Sequence, residues 1–230
     1  MSFKDTYVSE IQEKYLDRYG MVGLDANSPN HETDNGLFFS AIHVVLCHTI
    51  IKTNMRALRI WYTEKVRKCY MQVGNITRKP GNTEQQQQWD DFLGLAIACM
   101  ALNITDIPRE ILKYGLLNLF FYNTDGQLKG EDFLGRFPQV WVMMFAAAFP
   151  IMRWIVKPLA WLISLTMKKE QGNSSGNNLI FMYLYGMKLL GMKSYSKKME
   201  EINILENFKL YFKAGHPFIS LLEENIGDIK

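Results

Sequence analysis

From Leu37 to Tyr70 the chain runs without a proline or a glycine, and no other feature constrains the fold as much. The two residues that most readily break a helix are missing there. Apolar side chains recur at Ile42, Leu46, Ile50, Leu58, Trp61 and Val66 with a helical period, and Lys52, Arg56, Arg59, Lys65, Arg67 and Lys68 fill the far side. Such a period buries one face of a helix; a strand, whose side chains alternate in twos, cannot bury it. One long helix or a kinked pair is expected, with its basic flank in solvent.

The same reading organises the rest. Tyr7, Ile11, Tyr15 and Tyr19 stand four residues apart before Gly20, which predicts a helix over 3–19. Loops are expected at 22–35 and 74–88, the second holding Gly74, Pro80, Gly81 and a glutamine run. Helices are expected over 88–103, from Asp106 and Pro108 to about Tyr122, and, after the turn Asn123-Thr124-Asp125-Gly126, from Glu131 to Ala148. The most apolar segment, 138–167, is broken at Pro150 and contains Arg153 and Lys157. Its longest uncharged run, Phe137 to Met152, falls short of the roughly 20 residues a membrane span needs, so two buried helices are expected and a membrane partner is disfavoured. A polar loop over 168–178 and helices over 179–190, 196–213 and 217–226 complete the chain. No alternating β-branched run lies between turns, so the fold class is all-α: helical hairpins packed side by side in a single domain, 1–230.

Composition narrows the function. With 230 residues, 48% hydrophobic and 21% charged, the chain can bury a sizeable core. A net charge of +3 provides no basic stripe for nucleic acid. The cysteines are odd in number (Cys47, Cys69, Cys99), without a C-x-x-C pair, and no apolar signal segment follows Met1. That pattern suggests a reducing compartment or release by lysis. Phosphate-binding glycine loops and a G-x-S-x-G nucleophile are missing, and no cofactor is called for. His43 and Cys47 share a helix face but lack a third ligand, so they read as a buried polar pair rather than a metal site. His216, before Pro217, reads as a turn residue.

One internal regularity stands out. Trp89-Asp90-Asp91-Phe92-Leu93-Gly94 recurs as Gly130-Glu131-Asp132-Phe133-Leu134-Gly135, and a looser copy is Thr33-Asp34-Asn35-Gly36-Leu37-Phe38-Phe39. Each sets an acid at a helix start, where it can accept from free N–H groups, and a glycine where another helix can approach closely. Hairpins with acids or aromatics at inner-helix starts resemble the (α/α) toroid of six-hairpin glycosidases and related polysaccharide lyases, here with about four hairpins. The chain also resembles uncharacterised phage-encoded proteins with an Asn-Gly-Leu-Phe-Phe start and a later Gly-Arg-Phe-Pro, here Asn35 to Phe39 and Gly135 to Pro138.

These resemblances imply a site. In a toroid the inner-helix starts converge, so Glu32, Asp34, Asp91 and Glu131 become candidate catalytic acids for hydrolysis or cleavage of a cell-envelope polysaccharide. Trp89, Tyr122 and Phe121 would stack on sugar rings, and His31 and Arg136 would bind an anionic substituent. Asp34, Asp91 and Asp132 read equally as helix caps; Glu32, hardest to explain as a cap, is the leading candidate. The alternative is a non-enzymatic virion protein of tail or capsid, docking through 138–167 to its own copies or other subunits. Host cytoplasm or virion is the expected location on either reading.

Overall fold

The computed structural model describes residues 3–24, 36–52, 54–77, 80, 89–119, 137–167, 174–193, 203–212 and 215–229. Their fold is all-α. Helix α1 (Phe3–Glu10) runs into a π-helical turn, Ile11–Tyr15. Then come α2 (Gly36–Leu46), a second π turn (Cys47–Ile51) and α3 (Met55–Lys68). A small antiparallel hairpin, β1 (Tyr70–Gln72) with β2 (Asn75–Ile76), turns at Gly74. Helices α4 (Trp89–Leu102), α5 (Asp106–Leu117) and α6 (Pro138–Ala148) follow. A 3₁₀ turn (Pro150–Met152) leads to α7 (Arg153–Thr166), α8 (Ser174–Leu189), α9 (Ile204–Tyr211) and α10 (Pro217–Ile229).

Helix α4 is the axis of the packing. It is apolar all round after its first turn and buried from Asp90 to Leu102, as a helix must be when no face is polar enough for water. Helices α2, α6 and α8 pack on it, with α3 and α5 at its margins. This defines a bundle centred on one helix; it does not by itself define a toroid. Glycines set the closest approaches. A Cβ on Gly94 would stand 2.9 Å from Phe38 Cδ2, and one on Gly186 2.8 Å from Met143 Sδ, so α2 meets α4 and α8 meets α6 where side chains are absent.

The long unbroken stretch resolves as a kinked pair. Lys52 adopts a left-handed conformation (φ 52°) that ends the second π turn, and Asn54 starts α3 by accepting from Arg56 N and Ala57 N at 3.1 and 3.2 Å. Neither proline nor glycine is needed, because a capping side chain offers the backbone an alternative to continuing the helix. Replacing Asn54 with alanine should cost about 0.5–2 kcal/mol, read as a lower chemical-denaturation midpoint at unchanged slope.

Several boundaries differ from expectation. The first helix stops at Tyr15, not Tyr19, because Asp17 Oδ1 accepts from both Tyr19 N and Met21 N and folds the chain into a turn. Helix α5 closes at Leu117, with Leu119 left-handed, before Tyr122 is reached. Helix α8 begins at Ser174, inside the expected polar loop, since Ser and Asn are well tolerated where helix N–H groups are free. The helix start at Glu131 and the turn at 123–126 lie outside the described residues.

The largest correction concerns 138–167, expected as two buried helices. Helix α6 is buried, but α7 bends away from it by 120° across the 3₁₀ turn and leaves its large apolar residues in the open. Pro150 forces the break, because a proline lacks the N–H that would continue α6.

Candidate functional site

Of the residues singled out from the sequence, the structure places Trp89 and Asp91. Both lie on the first turn of α4. Trp89 is half-buried and stacks on Phe137, ring centroids 5.2 Å apart and planes 14° from parallel. Asp91 is 1% exposed and its carboxylate oxygens are sealed from solvent. Its charge lies close enough to the Tyr62 hydroxyl and the Cys69 thiol to help push both up, after burial itself. His31, Glu32, Asp34, Phe121, Tyr122, Glu131, Asp132 and Arg136 lie outside the described residues.

A different constellation does form. Val8, Ile11, Gln12 and Leu16 from α1 and its π turn face His43 and Cys47 from α2 and the second π turn. Asn54, Ala57, Leu58 and Trp61 at the start of α3 complete a cavity of about 420 Å³. At its floor the Tyr7 hydroxyl lies 2.9 Å from His43 Nδ1, and Cys47 Sγ lies 3.5 Å from His43 Nε2. Tyr7 stacks on the imidazole and Trp61 meets it edge-on, at 5.7 and 5.6 Å between centroids.

Burial sets the chemistry of this floor. Desolvation pushes the His43 imidazolium down to about 4 and the Cys47 thiol up to about 12. The Tyr7 hydroxyl is raised by burial, then by the neighbouring Cys47. All three are therefore neutral at pH 7. Such a pair does not make an activated Cys–His nucleophile, which requires a depressed thiol beside a base. It can bind rather than react. Among the described residues no group of three or more His, Cys, Asp or Glu comes together to hold a metal ion.

The spacing of His43 and Cys47 was legible as one helix face, and the two side chains do meet. Tyr7, 36 positions away, carried no such signal. His216 serves as a tether: it is buried, Nδ1 accepts from Phe218 N at 3.2 Å, and Nε2 lies 3.3 Å from the Gly23 carbonyl to which it donates.

The outer face of α7 is the second candidate. Val156, Ala160 and Ser164, four residues apart, face inward at 5% exposure or less, and the Tyr183 hydroxyl donates to the Ala160 carbonyl at 3.0 Å. Outward stand Trp154 (69% exposed), Ile155, Leu159, Trp161, Leu162 (52%) and Leu165, continued by Ile151 (91%) in the 3₁₀ turn. Small residues inside and large apolar ones outside reverse the polarity of a helix lying on a water-facing domain. No single described helix is long and apolar enough to cross a membrane.

Comparison with known protein families, curated proteins and solved structures finds no match to this chain.

Proposed function

We propose that this chain is a non-catalytic docking protein that lays the outer face of α7 in the interfacial zone of an anionic membrane. The reversed polarity of α7 carries the reading. Two tryptophans and a row of aliphatic side chains form a stripe of the kind that sinks a few ångströms into the headgroup boundary, a mode that needs no spanning helix. Burying that stripe, at about 1.5–3 kcal/mol for each fully exposed large side chain, is worth on the order of 5 kcal/mol.

Charge selects the partner. From Phe133 to Lys169 the sequence contains no Asp or Glu, while Arg136, Arg153, Lys157, Lys168 and Lys169 punctuate it. Anionic headgroups complement such a segment, each nearby cation contributing about 1 kcal/mol. A second copy docked on the same face would set like charges against each other. Polysaccharide cleavage by Glu32, Asp34, Asp91 and Glu131 is the competing proposal, and it would require a glycan to reach the covered Asp91 carboxylate.

Flotation with vesicles of phosphatidylcholine alone, or mixed with phosphatidylglycerol, tests the reading. Binding should appear with phosphatidylglycerol, weaken with salt, and fall about tenfold or more in Trp154→Glu and Leu162→Glu. Both variants should keep their melting temperature, because these side chains touch little in the fold. No binding to the anionic vesicles, or a dimer in light scattering that the same substitutions dissolve, would overturn it.

A further inference from the structure

We infer that the cavity between α1, α2 and α3 binds an uncharged, mainly hydrocarbon small molecule through one carbonyl or hydroxyl oxygen that accepts from His43 Nε2–H. This inference stands on separate ground from the docking face of α7.

Shape comes first. At about 420 Å³ the cavity lies within the roughly 300–1,000 Å³ range of small-molecule sites. Both π turns of the described residues line it, one through Ile11 and Gln12 and the other through Cys47. A π turn replaces i→i+4 hydrogen bonds with longer i→i+5 ones, is rare, and persists mostly where it shapes a site. Two of them, separated in sequence and facing one cavity, form a wall that tight core packing alone would not require.

Chemistry then narrows the occupant. None of the lining residues is Asp, Glu, Lys or Arg, and the His43 and Cys47 side chains are neutral, so a charged ligand would lose its hydration without a counter-charge. Asn54 Oδ1 is committed to capping α3. With the Tyr7 hydroxyl donating to Nδ1, the imidazole carries its proton on Nε2, where it meets Cys47 Sγ at 3.5 Å. Sulfur is a weak acceptor. A ligand oxygen would be a stronger one, leaving the hydrocarbon remainder to Leu58, Ile11 and the edge of Trp61.

Benzophenone suits the test, being uncharged, aromatic and equipped with one carbonyl that also photo-cross-links. The full chain would be titrated with it while the ¹⁵N-labelled His43 side chain is followed, and then irradiated for peptide mapping. The expected result is saturable binding that shifts the His43 Nε2 signal and cross-links the peptides holding Leu58 or Trp61. 4-Benzoylbenzoate, the same scaffold with a charge, should bind about tenfold more weakly or worse at pH 7. So should benzophenone to Ala57→Phe, which fills the cavity, or to Ala57→Leu if the larger variant fails to fold. Trp154→Glu should bind it unchanged. Absence of saturable binding, equal binding of the carboxylate, or undiminished affinity in the folded cavity-filling variant would each overturn the assignment.

Discussion

Gly186→Leu is expected to destabilise the bundle by about 2 kcal/mol or more, seen as a lower midpoint in guanidinium unfolding. Gly186 sits on α8 where it meets α4 and α6; even a Cβ there would collide with Ile97 and stand 2.8 Å from Met143 Sδ. Two effects oppose each other. Leucine favours a helix over glycine by about 0.8–1 kcal/mol, which alone would stabilise α8. Overpacking a closed core costs about 1–3 kcal/mol and occasionally more, and here a whole isobutyl group must enter between three helices. The clash therefore wins. Truncating the obstruction distinguishes this account from generic disruption: in a Met143→Ala background the penalty should shrink by about 1 kcal/mol, the coupling expected of residues in direct contact. Simple additivity of the two substitutions would sink it.

Acid should destabilise the protein specifically through His43. The imidazole is fully enclosed by α1, α2 and α3, and desolvation holds it at about 4 against an ordinary 6.5. The unfolded chain thus binds a proton at a pH where the folded one does not. Stability attributable to His43 is complete above pH 6.5, begins to fall as pH drops below that value, and is lost by about pH 4, a total of about 3 kcal/mol. His43→Gln, neutral at every pH, should show a flatter stability profile between pH 6.5 and 4 even if its stability at pH 7 is lower because Tyr7 has lost its partner. Identical slopes for the two proteins in that window would contradict the burial argument.

Helical periodicity was enough to place most elements, because apolar spacing reports which face is buried whatever it packs against. It located α4 and the start of α5 closely. Ends were harder. Asp17 and Asn54 terminate or begin helices through side-chain hydrogen bonds to nearby backbone, a local competition that apolar spacing does not register. The apolar pattern of 138–167 was equally blind to direction: α6 and α7 look alike in hydropathy, yet one turns its large residues inward and the other outward. The cavity was the least legible feature. Its floor joins Tyr7 to His43 across 36 positions, and its walls depend on π turns that no residue pattern announced.

Those π turns make the wall of the cavity a matter of how many residues the chain supplies as well as which ones. Each accommodates more backbone per turn than the α form would, so losing any single position between Cys47 and Ile51 would let the segment rewind as ordinary α-helix. Everything after it would then swing by roughly a third of a revolution, carrying Trp61 off the imidazole. Among descendants of this sequence, length here should be held more tightly than side-chain identity.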